Sequence, residues 1–170
     1  MKYKTIILDR DGVINQVVPN YVKSPQELKF IPGSTAAIRA LLALNKKVII
    51  ASNQAGVGKG LFTIDDLEKI NQKINITVGA SLSYFYCTHT KSDKCSCRKP
   101  QPGLLTQIKG IEPSSHIMVG DNITDINAAQ AANIPAILVK TGHGEKFASE
   151  VNSDILIFSR LETAMSELIK

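Results

Sequence analysis

The sequence predicts a doubly wound, Rossmann-like α/β fold: a parallel sheet with helices on both faces. Three observations predict it. Short apolar runs rich in Val and Ile recur along the chain, helical spacing fills the intervals between them, and the runs end in polar or glycine-containing segments. Alternating strand and helix patterns are the signature of βαβ units. Strands apolar on consecutive residues, rather than on alternate ones, are those buried on both faces. The 170 residues suit a single domain over 1–170, and no repeat, linker or low-complexity tract divides them.

The elements follow in order. Thr5-Ile6-Ile7-Leu8 reads as the first strand. Residues 15–32 are irregular, broken by Pro19, Pro25 and Pro32. Ser34 is placed to cap a helix running to about Leu44, with Ala37, Leu41 and Leu44 on one face. Lys47 to Ala51 is the second strand, and Thr63 with Asp65-Asp66 opens a second helix. Leu82 to Cys87 is the third strand. Pro102-Gly103-Leu104 starts a helix, Ser115 to Val119 is the fourth strand, and Asp125 to Ala132 is helical. Ala136 to Val139 and Ile155 to Phe158 are the fifth and sixth strands, and an amphipathic helix follows from Arg160.

Composition narrows the function. Apolar residues make up 44% of the chain, enough for a core. No apolar stretch reaches the roughly 20 residues a membrane span needs, and the first strand follows the N-terminus without a signal-peptide core. A cytoplasmic protein with no membrane partner is expected. The net charge of +5 favours an anionic partner. Aromatics are only 5% and Trp is absent, so a base-stacking platform lacks material and nucleic acid is not the expected partner. A small phosphorylated molecule is, acting on a monomer.

The strand ends carry the chemistry. The first strand delivers Asp9-Arg10-Asp11-Gly12-Val13. In extended backbone Asp9 and Asp11 share a face, and two carboxylates that close repel unless a cation or a shared proton compensates. That suits a Mg²⁺ site with a carboxylate nucleophile beside a carboxylate acid. A polar turn built on Asp-Gly is the plainer alternative. The second strand delivers Ser52-Asn53-Gln54 and the glycine-rich 55–60, a candidate phosphate cradle or simply a turn. The fourth delivers Gly120-Asp121-Asn122-Ile123-Thr124-Asp125, either a helix capped by Asp121 or Thr124 or a third carboxylate for a hard, oxygen-rich Mg²⁺ site. Pro100 keeps Lys99 out of helix, and a lysine there suits a transferring phosphoryl group.

All three cysteines lie in Cys87-Thr88-His89-Thr90-Lys91-Ser92-Asp93-Lys94-Cys95-Ser96-Cys97. Cys87, His89, Cys95 and Cys97 make a Cys₃His set of the kind that closes structural Zn²⁺ sites. Three cysteines leave a disulfide with one odd thiol, and reduced surface thiols are the remaining option. A metal here would staple a loop with almost nothing apolar to bury, and would aim Arg98 and Lys99. His116 and His143 receive no role.

Taken together, these segments resemble the haloacid dehalogenase superfamily of Mg²⁺-dependent phosphatases over nearly the whole chain. Asp9-x-Asp11-Gly12-Val13 resembles its first motif, Ser52 its second, Lys99 its third and Gly120-Asp121-x₃-Asp125 its fourth. The Cys/His loop resembles the subgroup of D-glycero-D-manno-heptose 1,7-bisphosphate phosphatases and histidinol-phosphate phosphatases. Asn53-Gln54-Ala55-Gly56, Gly60-x-Phe62-Thr63 and Cys97-Arg98-Lys99-Pro100 resemble the heptose enzymes. The resemblance implies hydrolysis of the sugar's 7-phosphate with Asp9 as nucleophile and Asp11 as acid and base, titrating near neutral pH. It implies Mg²⁺ held by Asp9, the Asp11 carbonyl and Asp121, with Asp125 orienting that shell from outside. Ser52 and Lys99 would hold the phosphoryl oxygens, and Arg10, Asn53, Gln54, Arg98 and Asn122 would bind substrate. No interval has room for an inserted cap domain. The alternatives are a histidinol-phosphate phosphatase, a polynucleotide 3′-phosphatase and a non-catalytic zinc-bearing scaffold.

Overall fold

Four consecutive residues of the first strand are fully buried, and that places it at the centre of the molecule. A computed structural model describes residues 2–108 and 112–170. The chain runs β1 (Thr5–Leu8), α1 (Ser34–Ala43), β2 (Lys47–Asn53), α2 (Ala55–Gly58), α3 (Ile64–Val78), β3 (Ser83–Cys87) and α4 (Gly103–Thr106). It continues through β4 (His116–Gly120), α5 (Ile123–Ala131), β5 (Ala136–Val139), α6 (Gly144–Phe147), β6 (Leu156–Phe158) and α7 (Leu161–Leu168). The six strands form one sheet in the order β3-β2-β1-β4-β5-β6, every pairing parallel.

The two faces of β1 feed two cores. Ile6 and Leu8 join Val48, Ile50, Ile117 and Val119 against Ile38 and Leu41 of α1, Ile70 and Ile74 of α3, and Leu161 of α7. Ile7 turns the other way, with Ile49, Ala51 and Met118, against Leu105 of α4 and Ala128 and Ala129 of α5. This double coverage is why Ile6, Ile7 and Leu8 are apolar on consecutive positions. Leu8 pairs in register with both Ile50 and Val119. Strand order reverses between β1 and β4, so their carboxyl ends open onto the crevice where such sheets bind ligands.

Helix starts differ from expectation in two places. Ser34 does not cap α1. Gly33, at φ 83°, precedes the helix, and Ser34 lies inside it, buried, donating its Oγ to the Ile14 carbonyl at 2.7 Å. That bond fastens the irregular segment 15–32 to α1. At α5 the cap is Asn122, not Asp121 or Thr124: its Oδ1 accepts from the Thr124 N–H at 3.1 Å while Asp125 accepts from the Asn122 N–H at 3.1 Å. The glycine-rich 55–60 segment also departs from a cradle. It winds into α2, and Val57, Lys59, Gly60 and Leu61 donate their N–H groups to Gln54, Ala55, Val57 and Gly56. By contrast, α3 starts as its sequence indicates, with Thr63 and Asp66 in reciprocal hydrogen bonds at 3.1 and 3.0 Å.

Thr63→Ala removes the hydroxyl that accepts from the Asp66 N–H and leaves the bond from the residue-63 N–H to the Asp66 carboxylate. It is expected to lower stability by about 1 kcal/mol, read as a lower urea midpoint at an unchanged slope.

Candidate active site

The ladder between β1 and β4 runs one residue past Leu8, because the Asp9 N–H donates to the Val119 carbonyl at 2.9 Å. This sets Asp9 beside Asp121 at the end of β4. Asp125, one turn into α5, completes a cluster in which carboxylate oxygens of Asp9, Asp121 and Asp125 lie within 4.8 Å of one another, all buried. Lys99 reaches into it. Its Nζ lies 2.5 Å from Asp125, 3.1 Å from Asp9 and 2.7 Å from the Ala51 carbonyl. Burial pushes the lysine toward neutrality, but Asp125 and Asp9 outweigh it and hold the ammonium above its ordinary value. Asn53 fixes the lysine backbone with a reciprocal pair, Nδ2 to the Lys99 carbonyl at 3.0 Å and Oδ1 from its N–H at 3.1 Å.

One ammonium against three buried carboxylates leaves negative charge uncompensated. Burial, then Asp125 and Asp11, raise Asp9 to about 6 against the pull of Lys99, and burial, then Asp9 and Asp125, raise Asp121 to about 8. Carboxyls in this position either keep protons or take a cation. An all-oxygen, carboxylate-rich donor set fits a hard ion such as Mg²⁺. Asp125 is already committed to Lys99 and to the Asn122 N–H, which suits it to orienting neighbours.

Asp11 meets the opposite environment. Burial would raise it, yet Arg10, at 2.8 Å, and the hydrogen bonds from Asn15 and Gln54 outweigh burial and lower it below its ordinary value. Titration near neutral pH is therefore not what this arrangement gives; Asp11 is held ionised. Arg10 itself is fully buried and absent from the cavity wall, paired with Asp11 rather than presented to a ligand. Gln54 is buried too, donating to Asp11 and to Ser52 Oγ at 2.9 Å each. Ser52, Arg10 and Gln54 lie behind the wall, whereas Asp9, Asp11, Asn53, Arg98, Lys99, Asp121, Asn122 and Asp125 line it.

One part of the site escaped the sequence reading: the turn after β5. Thr141 Oγ1 donates to the Gly12 carbonyl at 2.6 Å, and the His143 N–H donates to Asp121 Oδ2 at 2.7 Å. Gly12 (φ 89°) and Gly142 (φ 60°) close on Asp121 from two sides, and a Cβ on either would overlap its carboxylate. The available signal was positional: Thr141-Gly142-His143-Gly144 also follows a strand end.

The Cys/His loop comes together as its spacing indicates. Sulfur separations among Cys87, Cys95 and Cys97 are 3.2, 3.4 and 3.6 Å, and His89 Nδ1 lies 3.5 Å from Cys87 and 3.3 Å from Cys97. The thiols are free. Sulfurs about 2.3 Å from a central Zn²⁺ sit roughly 3.8 Å apart at tetrahedral angles, so the set is close to binding dimensions. Arg98 hangs from this loop, its N–H on Cys95 Sγ at 3.4 Å and its Nη1 on the His89 carbonyl at 3.3 Å.

The cavity above the carboxylates measures about 1190 Å³. Residues 96–161 match the HAD-hydrolase-like family. A D-glycero-β-D-manno-heptose-1,7-bisphosphate 7-phosphatase of Pseudomonas aeruginosa is 36% identical over 100% of both chains. One from Neisseria meningitidis is 38% identical over 86% of this chain and 82% of its own. The crystal structure of D,D-heptose 1,7-bisphosphate phosphatase from B. bronchiseptica, complexed with magnesium and phosphate, superposes with a TM-score of 0.88 at 34% identity, covering 98% of each chain. Among the described residues no helix is long and apolar enough to cross a membrane.

The raised carboxyls set a pH dependence. A folded-state carboxyl raised to about 6 or about 8 binds protons that the unfolded chain, with an ordinary value near 4, has released. Stability of the metal-free protein should therefore fall as pH rises from about 4 to about 8. Mg²⁺ should raise the melting temperature, and by more at pH 8 than at pH 6. Thermal melts with chelator or Mg²⁺ at the two pH values check this; an equal gain at both would count against the cluster as the cation site.

Proposed function

We propose a function from one premise: the chain belongs to the D-glycero-D-manno-heptose 1,7-bisphosphate 7-phosphatase family of haloacid dehalogenase-like hydrolases. It is a Mg²⁺-dependent phosphatase that removes the 7-phosphate of the heptose bisphosphate. The observation that carries this reading is the meeting of Asp9, Asp121, Asp125 and Lys99 at one end of a single cavity.

Asp9 is the nucleophile. Its Oδ1 accepts from the Arg10 N–H at 2.8 Å and faces Lys99, while Oδ2 takes no hydrogen bond among the described residues and attacks phosphorus. The phosphorus–oxygen bond to the sugar breaks as the aspartyl-phosphate forms. Lys99 places a buried positive charge where negative charge gathers on the transferring group. Ser52, whose Oγ accepts from Gln54 behind the cavity wall, would have to turn forward to offer its hydroxyl to the same oxygens. Asp11, held ionised by Arg10, accepts the proton of the water that then cleaves the aspartyl-phosphate. To act in the first half it must move from Arg10 and take a proton from solvent, which it then gives to the departing sugar oxygen, returning to the carboxylate. Mg²⁺, held by Asp9, Asp121 and the Asp11 carbonyl, supplies charge neutralisation at the phosphoryl oxygens when bound. Arg98, Asn53 and Asn122 hold the rest of the substrate. Cys87, His89, Cys95 and Cys97 would hold Zn²⁺, which would fix the loop that carries Arg98 to its place beside Lys99.

Phosphate release with Mg²⁺ is expected to favour heptose 1,7-bisphosphate strongly over histidinol phosphate. The reverse preference would keep the chemistry and change the substrate. Asp9→Asn should lower kcat by at least about 10⁴-fold without loss of fold. Elemental analysis is expected to detect zinc in wild type and none in Cys97→Ser, which should lower kcat/KM on the order of a hundredfold, the scale at which a displaced positioning group is felt.

A further inference from the structure

The turn after β5 is fastened more firmly than a connection between two elements requires. The Lys140 N–H donates to the Phe158 carbonyl of β6 at 2.9 Å, which anchors the start of the turn to the sheet. The turn then folds back on itself, with the Gly144 N–H on the Thr141 carbonyl at 3.0 Å and the Glu145 N–H on the Lys140 carbonyl at 3.1 Å. Gly144 lies so close to the Val139 carbonyl of β5 that a Cβ would overlap it. Tied to both strands, the turn is part of the scaffold.

From that base it reaches two separate groups of the reaction centre. The His143 N–H occupies Oδ2 of the buried Asp121 at 2.7 Å, whereas Oδ1 takes no hydrogen bond among the described residues. The carboxylate is thereby set in one orientation, with one oxygen left for a cation. On the other side, Thr141 Oγ1 donates to the Gly12 carbonyl at 2.6 Å, and the Gly12 N–H donates to the Asn15 carbonyl at 2.7 Å. Gly12 is thus held at both ends of its backbone. Its N–H and the Asp11 carbonyl belong to one planar peptide unit and point opposite ways, so fixing Gly12 fixes the Asp11 carbonyl. Gly142, at φ 60°, sits between the two contacts, where a Cβ would overlap both the Asp121 carboxylate and the Gly12 Cα. The close fit leaves neither group room to shift toward the turn.

We propose that Thr141 is a positioning residue for the Mg²⁺ site. Through its hydroxyl and the His143 N–H, turn 141–144 sets the separation between two of the cation's ligands, the Asp11 carbonyl and the Asp121 carboxylate. This rests on the reading of the carboxylate cluster as the Mg²⁺ site. Thr141 does not line the cavity, so it acts on the ligands and not on the substrate. Mg²⁺ demands near-ideal octahedral geometry, which makes its affinity sensitive to ligands placed slightly wrong. Groups that orient metal ligands are commonly worth about 10- to 100-fold in affinity. A neutral hydroxyl working through one backbone carbonyl belongs at the lower end of that range.

The test is calorimetric titration of Mg²⁺ into Mg²⁺-free protein, beside kcat on heptose 1,7-bisphosphate at saturating Mg²⁺. Thr141→Val keeps the shape and removes the hydroxyl; its dissociation constant for Mg²⁺ should rise about tenfold. Saturating Mg²⁺ should return its kcat close to that of wild type, and Thr141→Ser should restore the affinity. His143→Pro removes the N–H on Asp121 while leaving Thr141 in place, and should weaken Mg²⁺ binding independently. Thr63→Ala, a loss of stability in α3 away from the turn, should leave the dissociation constant unchanged. An unchanged constant in either turn variant, or an equal rise in Thr63→Ala, overturns the positioning role and leaves the Mg²⁺ site standing. A wild-type protein that takes up no Mg²⁺ overturns the site itself, and the positioning role with it.

Discussion

The site depends on a single buried ammonium. Lys99 is held by Asp125, Asp9 and the Ala51 carbonyl, and Asn53 grips its backbone on both sides. Removing either carboxylate would strand a charge away from water, which is far costlier than losing an exposed pair. β1, β2 and α5 are therefore tied to one another at the point where chemistry occurs. The same lysine leaves the cluster short of positive charge, and a divalent ion is the natural complement. Attraction to a phosphate and attraction to a cation arise from one arrangement of charges.

Much of this was legible in the sequence, for a physical reason. A strand covered on both faces is apolar on consecutive residues rather than on alternate ones, so β1 and β5 coincide with the runs Thr5 to Leu8 and Ala136 to Val139. Polar residues at the ends of such strands have few places to go except a crevice. That is why Asp9, Asp121, Asp125 and Lys99 converge as their positions suggest, and why a compact Cys/His spacing closes into a cluster.

What the sequence hid was set by contacts between distant segments. Nothing near Ser34 indicates that the Ile14 carbonyl will take its hydroxyl. The string of glycines at 55–60 reads as an open loop, yet its N–H groups satisfy one another within the α2 turn. Arg10 and Gln54 look like ligand-binding residues because they flank the proposed catalytic ones, but their side chains lie behind the wall and bond to Asp11 and Ser52. The turn at 141–144 has no charged side chain aimed at Asp121; its contribution is a backbone N–H, which composition cannot signal. Polar residues next to a site divide between those facing the ligand and those holding the first group still, and only packing separates them.

The mouth of the cavity is shaped without an inserted domain. Segment 15–32, α2 and the Cys/His loop supply it, each anchored differently: by Ser34 on Ile14, by the close approach of Gly58 to Thr88, and by the thiol cluster that begins at the last residue of β3. Segment 15–32 also buries Val22, Leu28 and Ile31, whereas the Cys/His loop has little apolar surface of its own, so point contacts must replace burial in fixing it.

The strand order has a consequence for how activity arises during synthesis. β1 leaves the ribosome first, yet one of its two neighbours in the sheet is β4, and Asp9 meets Asp121 only once that pairing forms. Such a non-local contact is closed late and slowly compared with the helical turns between. A nascent chain that has made only β1 to β3 holds the proposed nucleophile Asp9, the hydroxyl of Ser52 and, of the thiol cluster, Cys87 alone, with neither Lys99 nor Asp121 and Asp125. Catalysis is therefore a late property of this chain, appearing with the long-range closure of the sheet rather than with any local element, and a truncated product is silent rather than poorly selective.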